Sequence, residues 1–181
     1  MLKRLLLSLA VVFALVVSAL LAIAASRPDT FRVERSLHIA APPAQLFALI
    51  ADLRAWRGWS PYETKDPGMQ RRFSGPPAGV GAHCAWQGND EVGAGSMTIT
   101  ASDAPRRLVI QLDFIRPFAA RNTAEFTLAP SGDGTDVTWA LYGPSPWLSK
   151  VMGVLFDMDA MIGRDFETGL SRLQALAAAP A

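Results

Sequence analysis

The sequence predicts an α+β fold: about seven short antiparallel strands and a long C-terminal helix, behind an N-terminal apolar helix. Three observations lead there. Between residues 70 and 142, apolar and polar side chains alternate in short runs separated by Gly, Pro, Asn and Asp, the period of strands with one buried face. After residue 145 the period changes, and Val151, Leu155, Met158, Ile162, Phe166, Leu170 and Leu173 recur at helical spacing as one apolar stripe. At the other end, Leu5 to Ala25 is an uncharged apolar run interrupted only by Ser8 and Ser18.

Apart from that run, a chain of 181 residues suits one compact domain. Half of the residues are hydrophobic, enough for a full core even without the N-terminus. Net charge is +1, and Arg71-Arg72 and Arg106-Arg107 are isolated doublets, so no basic tract tracks phosphates and nucleic acid is not an expected partner. Cys84 is the single cysteine, which excludes an internal disulfide.

The chain divides into a positively charged N-terminus (1–4), the apolar segment (5–25), a polar linker (26–30), the folded domain (31–178) and a short tail (179–181). As a helix rising ~1.5 Å per residue, the apolar segment reaches roughly 30 Å, the thickness of a bilayer core. Lys3 and Arg4 should hold its start in the cytoplasm and send the domain across. In a bacterium this gives a single-pass inner-membrane protein with a periplasmic domain. Ala22-Ile23-Ala24 also offers a small-x-small cleavage site, so release as a secreted or periplasmic protein is the alternative.

The first strand runs from Phe31 to Ile39, with Phe31, Val33, Leu37 and Ile39 on one face and Arg32, Glu34 and His38 on the other. Ala41-Pro42-Pro43 ends it and opens a helix carrying Leu46, Phe47, Leu49 and Ile50, since proline suits a first turn. A short turn over 52–56 precedes the break at Gly58-Trp59-Ser60-Pro61. Strands follow over 70–74, 82–87, 96–101, 108–114, 121–128 and 136–142, with Ser131-Gly132-Asp133-Gly134 as a hairpin turn. Ser145 is the expected cap of the last helix, with Pro146 at its first position. Gly153, Gly163 and Gly169 each cost that helix about 1 kcal/mol relative to alanine, so close packing or room for a guest should compensate. Asp157, Asp159, Asp165 and Glu167 are assigned to its wet face.

The order of one strand, two short helices, a six-stranded meander and a long helix is the helix-grip order. The motifs Phe31-Arg32-Val33-Glu34-Arg35-Ser36, Ile39-Ala40-Ala41-Pro42-Pro43, Trp59-Ser60-Pro61, Gly79-Val80-Gly81-Ala82, Trp86-Gln87-Gly88-Asn89 and Gly132-Asp133-Gly134-Thr135 sharpen it. Over about residues 30–177 the chain resembles the SRPBCC superfamily, which includes START domains, the birch-pollen allergen and polyketide cyclases, and most of all its bacterial polyketide-cyclase-like members. The resemblance implies a curved sheet around the terminal helix and a cavity between them for a small hydrophobic or amphipathic ligand such as a lipid, quinone or polyketide-like molecule. The expected lining is Cys84, Trp86, Ile110, Leu112, Phe114, Phe126, Trp139, Leu141, Met158 and Ile162, with Trp56 and Trp59 near a mouth. The bland alternative is that these aromatics simply pack the core.

Two other functions stay open. A cyclase or dehydratase acting on an apolar ketide would need a titratable group in the cavity, for which His83, Asp113 and Glu125 are candidates. Strand alternation turns all three outward when Cys84, Trp86, Leu112 and Phe126 face inward. A ligand-free interaction domain would show a filled core and an exposed apolar patch. Asn122 and Tyr142 are candidate polar contacts. His38, His83 and Cys84 lack metal-ligand spacing, and Gly79-Val80-Gly81 lacks the third glycine and following helix of a dinucleotide site, so neither metal nor cofactor is expected.

Overall fold

The computed structural model describes residues 2–179; of the expected N-terminus and tail, Met1, Pro180 and Ala181 lie outside these. Helix α1 spans Leu2–Ser26, and β1 (Thr30–Ile39) follows directly. Pro42, in an extended conformation, starts α2 (Pro43–Ala51), whose Leu46, Phe47 and Ile50 are buried. A single 3-10 turn, Ala55–Gly58, and a four-residue helix, α3 (Tyr62–Lys65), lead into the meander. Its strands are β2 (Gln70–Ser74), β3 (His83–Gln87), β4 (Ala94–Asp103), β5 (Arg107–Arg116), β6 (Ala120–Ser131) and β7 (Gly134–Pro144). They form one seven-stranded sheet in the order β1-β7-β6-β5-β4-β3-β2. Its pairs from β7 to β2 are antiparallel.

The register shifts twice between β4 and β5, at Ala94/Gly95 and at Ile99/Ala101. Such bulges bend a sheet, and here they curl it about one apolar face. On that inner face the register lines up rows. One is Trp86, Gly95 and Phe114; the next is Cys84, Met97, Leu112 and Asn122; then come Ile99, Ile110, Ala124 and Leu141; then Leu108, Phe126 and Trp139.

The single C-terminal helix expected from the apolar stripe is two helices, α4 (Trp147–Leu155) and α5 (Met158–Ala178). Phe156 between them is extended at φ −128°, ψ 137°. The spacing Leu155, Met158, Ile162 carries the helical period straight across this break, so periodicity could not register it. Asp157, just before the first residue of α5, is of a type favoured at helix starts. Pro146, not Ser145, caps α4; the Ser145 backbone N–H instead donates to the Asp29 carbonyl at 2.7 Å.

The chain forms two compact units, one of residues up to Phe31 with Pro144–Met158, the other of Arg32–Gly143 with Asp159 onward. In the first, α4 packs against α1. In the second, α5 lies on the sheet through Phe166, Leu170 and Leu173, all buried. Its glycines admit close neighbours. A Cβ on Gly169 would stand 2.7 Å from Trp139 Cζ3 and 3.1 Å from Pro61 Cδ, and one on Gly163 would meet the Arg35 guanidinium.

The carboxylates of α5 are not simply a wet face. Arg35, on the inner face of β1 by alternation, donates to Asp159 at 2.8 Å and to Glu167 at 2.9 Å. Lys65 donates to Asp165 at 2.7 Å. These pairs join residues at least 100 positions apart, a relation alternation alone does not contain. His38 is on the solvated face as expected; its hydrogen bond to Asp136, at 2.8 Å, raises its pKa above the ordinary histidine value.

Candidate functional site

The inner face has two ends of different character, and the difference begins at two tryptophans. Trp56 and Trp59 follow α2, and their indole N–H groups donate to the Ile50 carbonyl at 2.9 Å and the Leu49 carbonyl at 3.3 Å. Those bonds satisfy the polar edges and turn the rings inward. Trp59 meets Phe126 edge-on at 6.0 Å and Trp139 at 5.6 Å. Trp139 in turn stacks on Phe126 at 5.0 Å and on Phe166 of α5 at 4.1 Å and 10°. Trp56, Trp59, Phe126, Trp139 and Phe166 are all buried.

At this end of the face the expected lining rings contact one another and are sealed from solvent. Trp56 and Trp59 pack the junction beneath the sheet, and Phe126 and Trp139 are core. Ile110 and Leu141 are sealed as well. The Trp139 indole N–H is buried among these rings without a hydrogen-bond partner.

Toward the other end the same face is less completely covered. Trp86, Met97, Leu112 and Phe114 remain half-buried although their strands turn them inward, and Asn122 beside Leu112 is half-buried too. Trp86 is held in place from both sides. Its N–H donates to the Val92 carbonyl at 3.1 Å, and its ring lies over Gly95, where a Cβ would stand 2.7 Å from Cη2. It meets Phe114 edge-on at 5.7 Å and 82°. Together these side chains make a partly exposed apolar patch with one neutral polar neighbour, the Asn122 amide. Ile162 of α5 is half-buried; Met158, expected among the lining, is exposed.

Beside Trp86, in register on β2, is Arg71. Its side chain is 8% exposed, paired with Glu63 and donating to the Met69 carbonyl at 2.8 Å. The ion pair is not apparent from the sequence, where Arg71-Arg72 reads only as an isolated basic doublet. The alternation of β2, which puts Arg71 on the face of Phe73, was the signal that could have found it. Cys84 is sealed on the inner face, and burial pushes its thiol up to about 11. The folded protein should therefore resist iodoacetamide at pH 8, and reaction should appear only on unfolding; rapid labelling of native protein, read by mass spectrometry, would contradict this.

The titratable candidates lie on the outer face. His83 shares a 2.8 Å hydrogen bond with Thr98. Asp113 pairs with Arg121 at 2.7 Å. Glu125 accepts from Arg107 at 2.9 Å and from the Tyr142 hydroxyl at 3.0 Å, and the Arg107 hydrogen bond holds its carboxyl below the usual range. Among the described residues no three His, Cys, Asp or Glu side chains converge on a point where a metal could sit.

Residues 30–178 match the family described as polyketide cyclase / dehydrase and lipid transport. No curated protein matches the chain. Solved structures do. A protein from Thermobifida fusca is 22% identical with a TM-score of 0.61, over 81% of this chain and 92% of its own. One from Chromobacterium violaceum is 18% identical with a TM-score of 0.58, over 85% and 100%. The Aha1 protein of Colwellia psychrerythraea is 14% identical with a TM-score of 0.55, over 83% and 99%. At these identities the likeness is one of fold.

Proposed function

The chain belongs to the polyketide cyclase / dehydrase and lipid transport family, and from that premise we propose that it is a membrane-tethered binding domain for a small hydrophobic or amphipathic molecule. The guest lies on the patch of Trp86, Met97, Leu112 and Phe114. The observation that carries this reading is the partial exposure of these inward-turned side chains while the next rows of the same strands are sealed. A guest covering roughly 200 Å² of apolar surface there contributes about 5 kcal/mol at ~25 cal/mol per Å². The Asn122 amide provides one polar contact, which suits a molecule with a single carbonyl, hydroxyl or carboxylate.

Helix α1 supports the tether. Over Lys3–Ser26 it is apolar and long enough to cross a bilayer, and its most apolar 18-residue stretch is unburied. Retained, it tethers the domain to the membrane in which such a guest dissolves, on the periplasmic side. Catalysis by His83, Asp113 or Glu125 is not favoured, since each is engaged on the opposite face of the sheet.

Native mass spectrometry of the gently extracted full chain tests the binding. Wild type and His83→Ala should retain an adduct of lipid mass, and Leu112→Arg, which puts a charge in the patch, should lose it. Equal retention by Leu112→Arg would overturn the reading.

A further inference from the structure

We propose that α4 is a membrane-surface helix, lying in the interfacial layer of the leaflet from which α1 emerges, with Trp147, Leu148, Leu155 and Phe156 against lipid. The inference rests on the anchoring reading of α1. It begins from an unusual exposure: these four large apolar side chains, at the two ends of α4, are 51%, 55%, 57% and 49% exposed. The helix sequence WLSKVMGVL has no acidic residue and one basic residue. That one charge does not point outward. Lys150 is 11% exposed and bound to Asp29 at 2.6 Å, so the exposed side chains of the helix are Trp147, Leu148, Leu155 and the small neutral Ser149.

The partner is a lipid surface because of where α4 is fixed. It packs against α1. Its start is tied to Asp29 by the Ser145 N–H at 2.7 Å. Further along, Gly153 lies close under Arg27, where a Cβ would stand 3.4 Å from Nη1. Ala24, in the last turns of α1, is sealed. These attachments fall at the end of the apolar span and just after it, the level at which a membrane helix leaves hydrocarbon. Tryptophan is enriched at that level, and helices with an apolar side lie there with that side roughly 5–10 Å into the headgroup boundary. Arg27, next to the helix end, suits the phosphates of the same layer.

Full-length Cys84→Ala protein with single cysteines at Val12, Leu148 or Leu155, labelled with an environment-sensitive fluorophore, tests this. The vesicles are phosphatidylcholine and phosphatidylglycerol carrying a nitroxide near either the headgroup or the acyl-chain terminus. Label at Val12 should be quenched best by the deep nitroxide. Labels at Leu148 and Leu155 should be quenched roughly twofold or more better by the shallow one, as an interfacial helix requires. If Val12 is quenched while Leu148 and Leu155 are not and are reached by aqueous iodide, the anchor stands and the surface-helix proposal falls. If they are shielded from both nitroxides and iodide, a protein covers α4 and the proposal also falls. If Val12 itself is unquenched, the anchoring reading fails and this inference with it.

Discussion

Replacing Phe166 by alanine is expected to destabilise the domain by about 3–5 kcal/mol, the range for deleting a fully buried aromatic ring. Phe166 is 2% exposed and is the contribution of α5 to the aromatic block, stacked on Trp139 at 4.1 Å. Its surroundings cannot collapse to fill the gap. Trp139 is held from its other side by Phe126, and Trp56 and Trp59 are hydrogen-bonded to α2. The lost ring therefore leaves both an unrecovered transfer term and a cavity. Urea denaturation of the full chain in detergent, followed by tryptophan fluorescence, measures this. A loss under about 1 kcal/mol would mean that the block is looser than its geometry implies.

Gly169→Ala should also destabilise, although alanine is the better helix former by about 1 kcal/mol. The new methyl would stand 2.7 Å from Trp139 Cζ3 and 3.1 Å from Pro61 Cδ, both parts of rigid rings. Overpacking of this kind costs about 1–3 kcal/mol, more than the propensity gain returns. Gly163→Ala is the instructive contrast. Its methyl meets the guanidinium at the end of the flexible Arg35 side chain, whose ion pairs are with carboxylates about 60% exposed and are weak for that reason. Gly163→Ala should be near neutral in the same denaturation experiment. Equal losses at both glycines would show that rigidity of the neighbour is not what decides.

These two positions also show how far the sequence could be read. That the glycines of the last helix needed compensation followed from propensity; that one neighbour would be Trp139 and the other Arg35 did not. The seven strands were legible because a period of two survives any tertiary context, and alternation put Cys84, Trp86, Leu112 and Trp139 on one face and His83, Asp113 and Glu125 on the other. Which of the inward residues would be sealed was not legible. That depends on Trp56 and Trp59, which come from a separate segment, reaching Phe126 and Trp139. The four residues of α3 are too few to carry a helical period, and the break before α5 preserves one.

Photocrosslinking tests the occupancy of the partly exposed patch directly. Membranes holding the full chain would be loaded with a fatty acid bearing a diazirine, irradiated, and the protein mapped peptide by peptide. Beyond the labelling of α1 expected of any membrane helix, adducts should concentrate on Trp86, Met97, Leu112 and Phe114 and should be displaced by excess unlabelled fatty acid. Adducts restricted to α1, or spread equally over outward residues such as His83 and Asp113, would contradict a bound guest on the inner face.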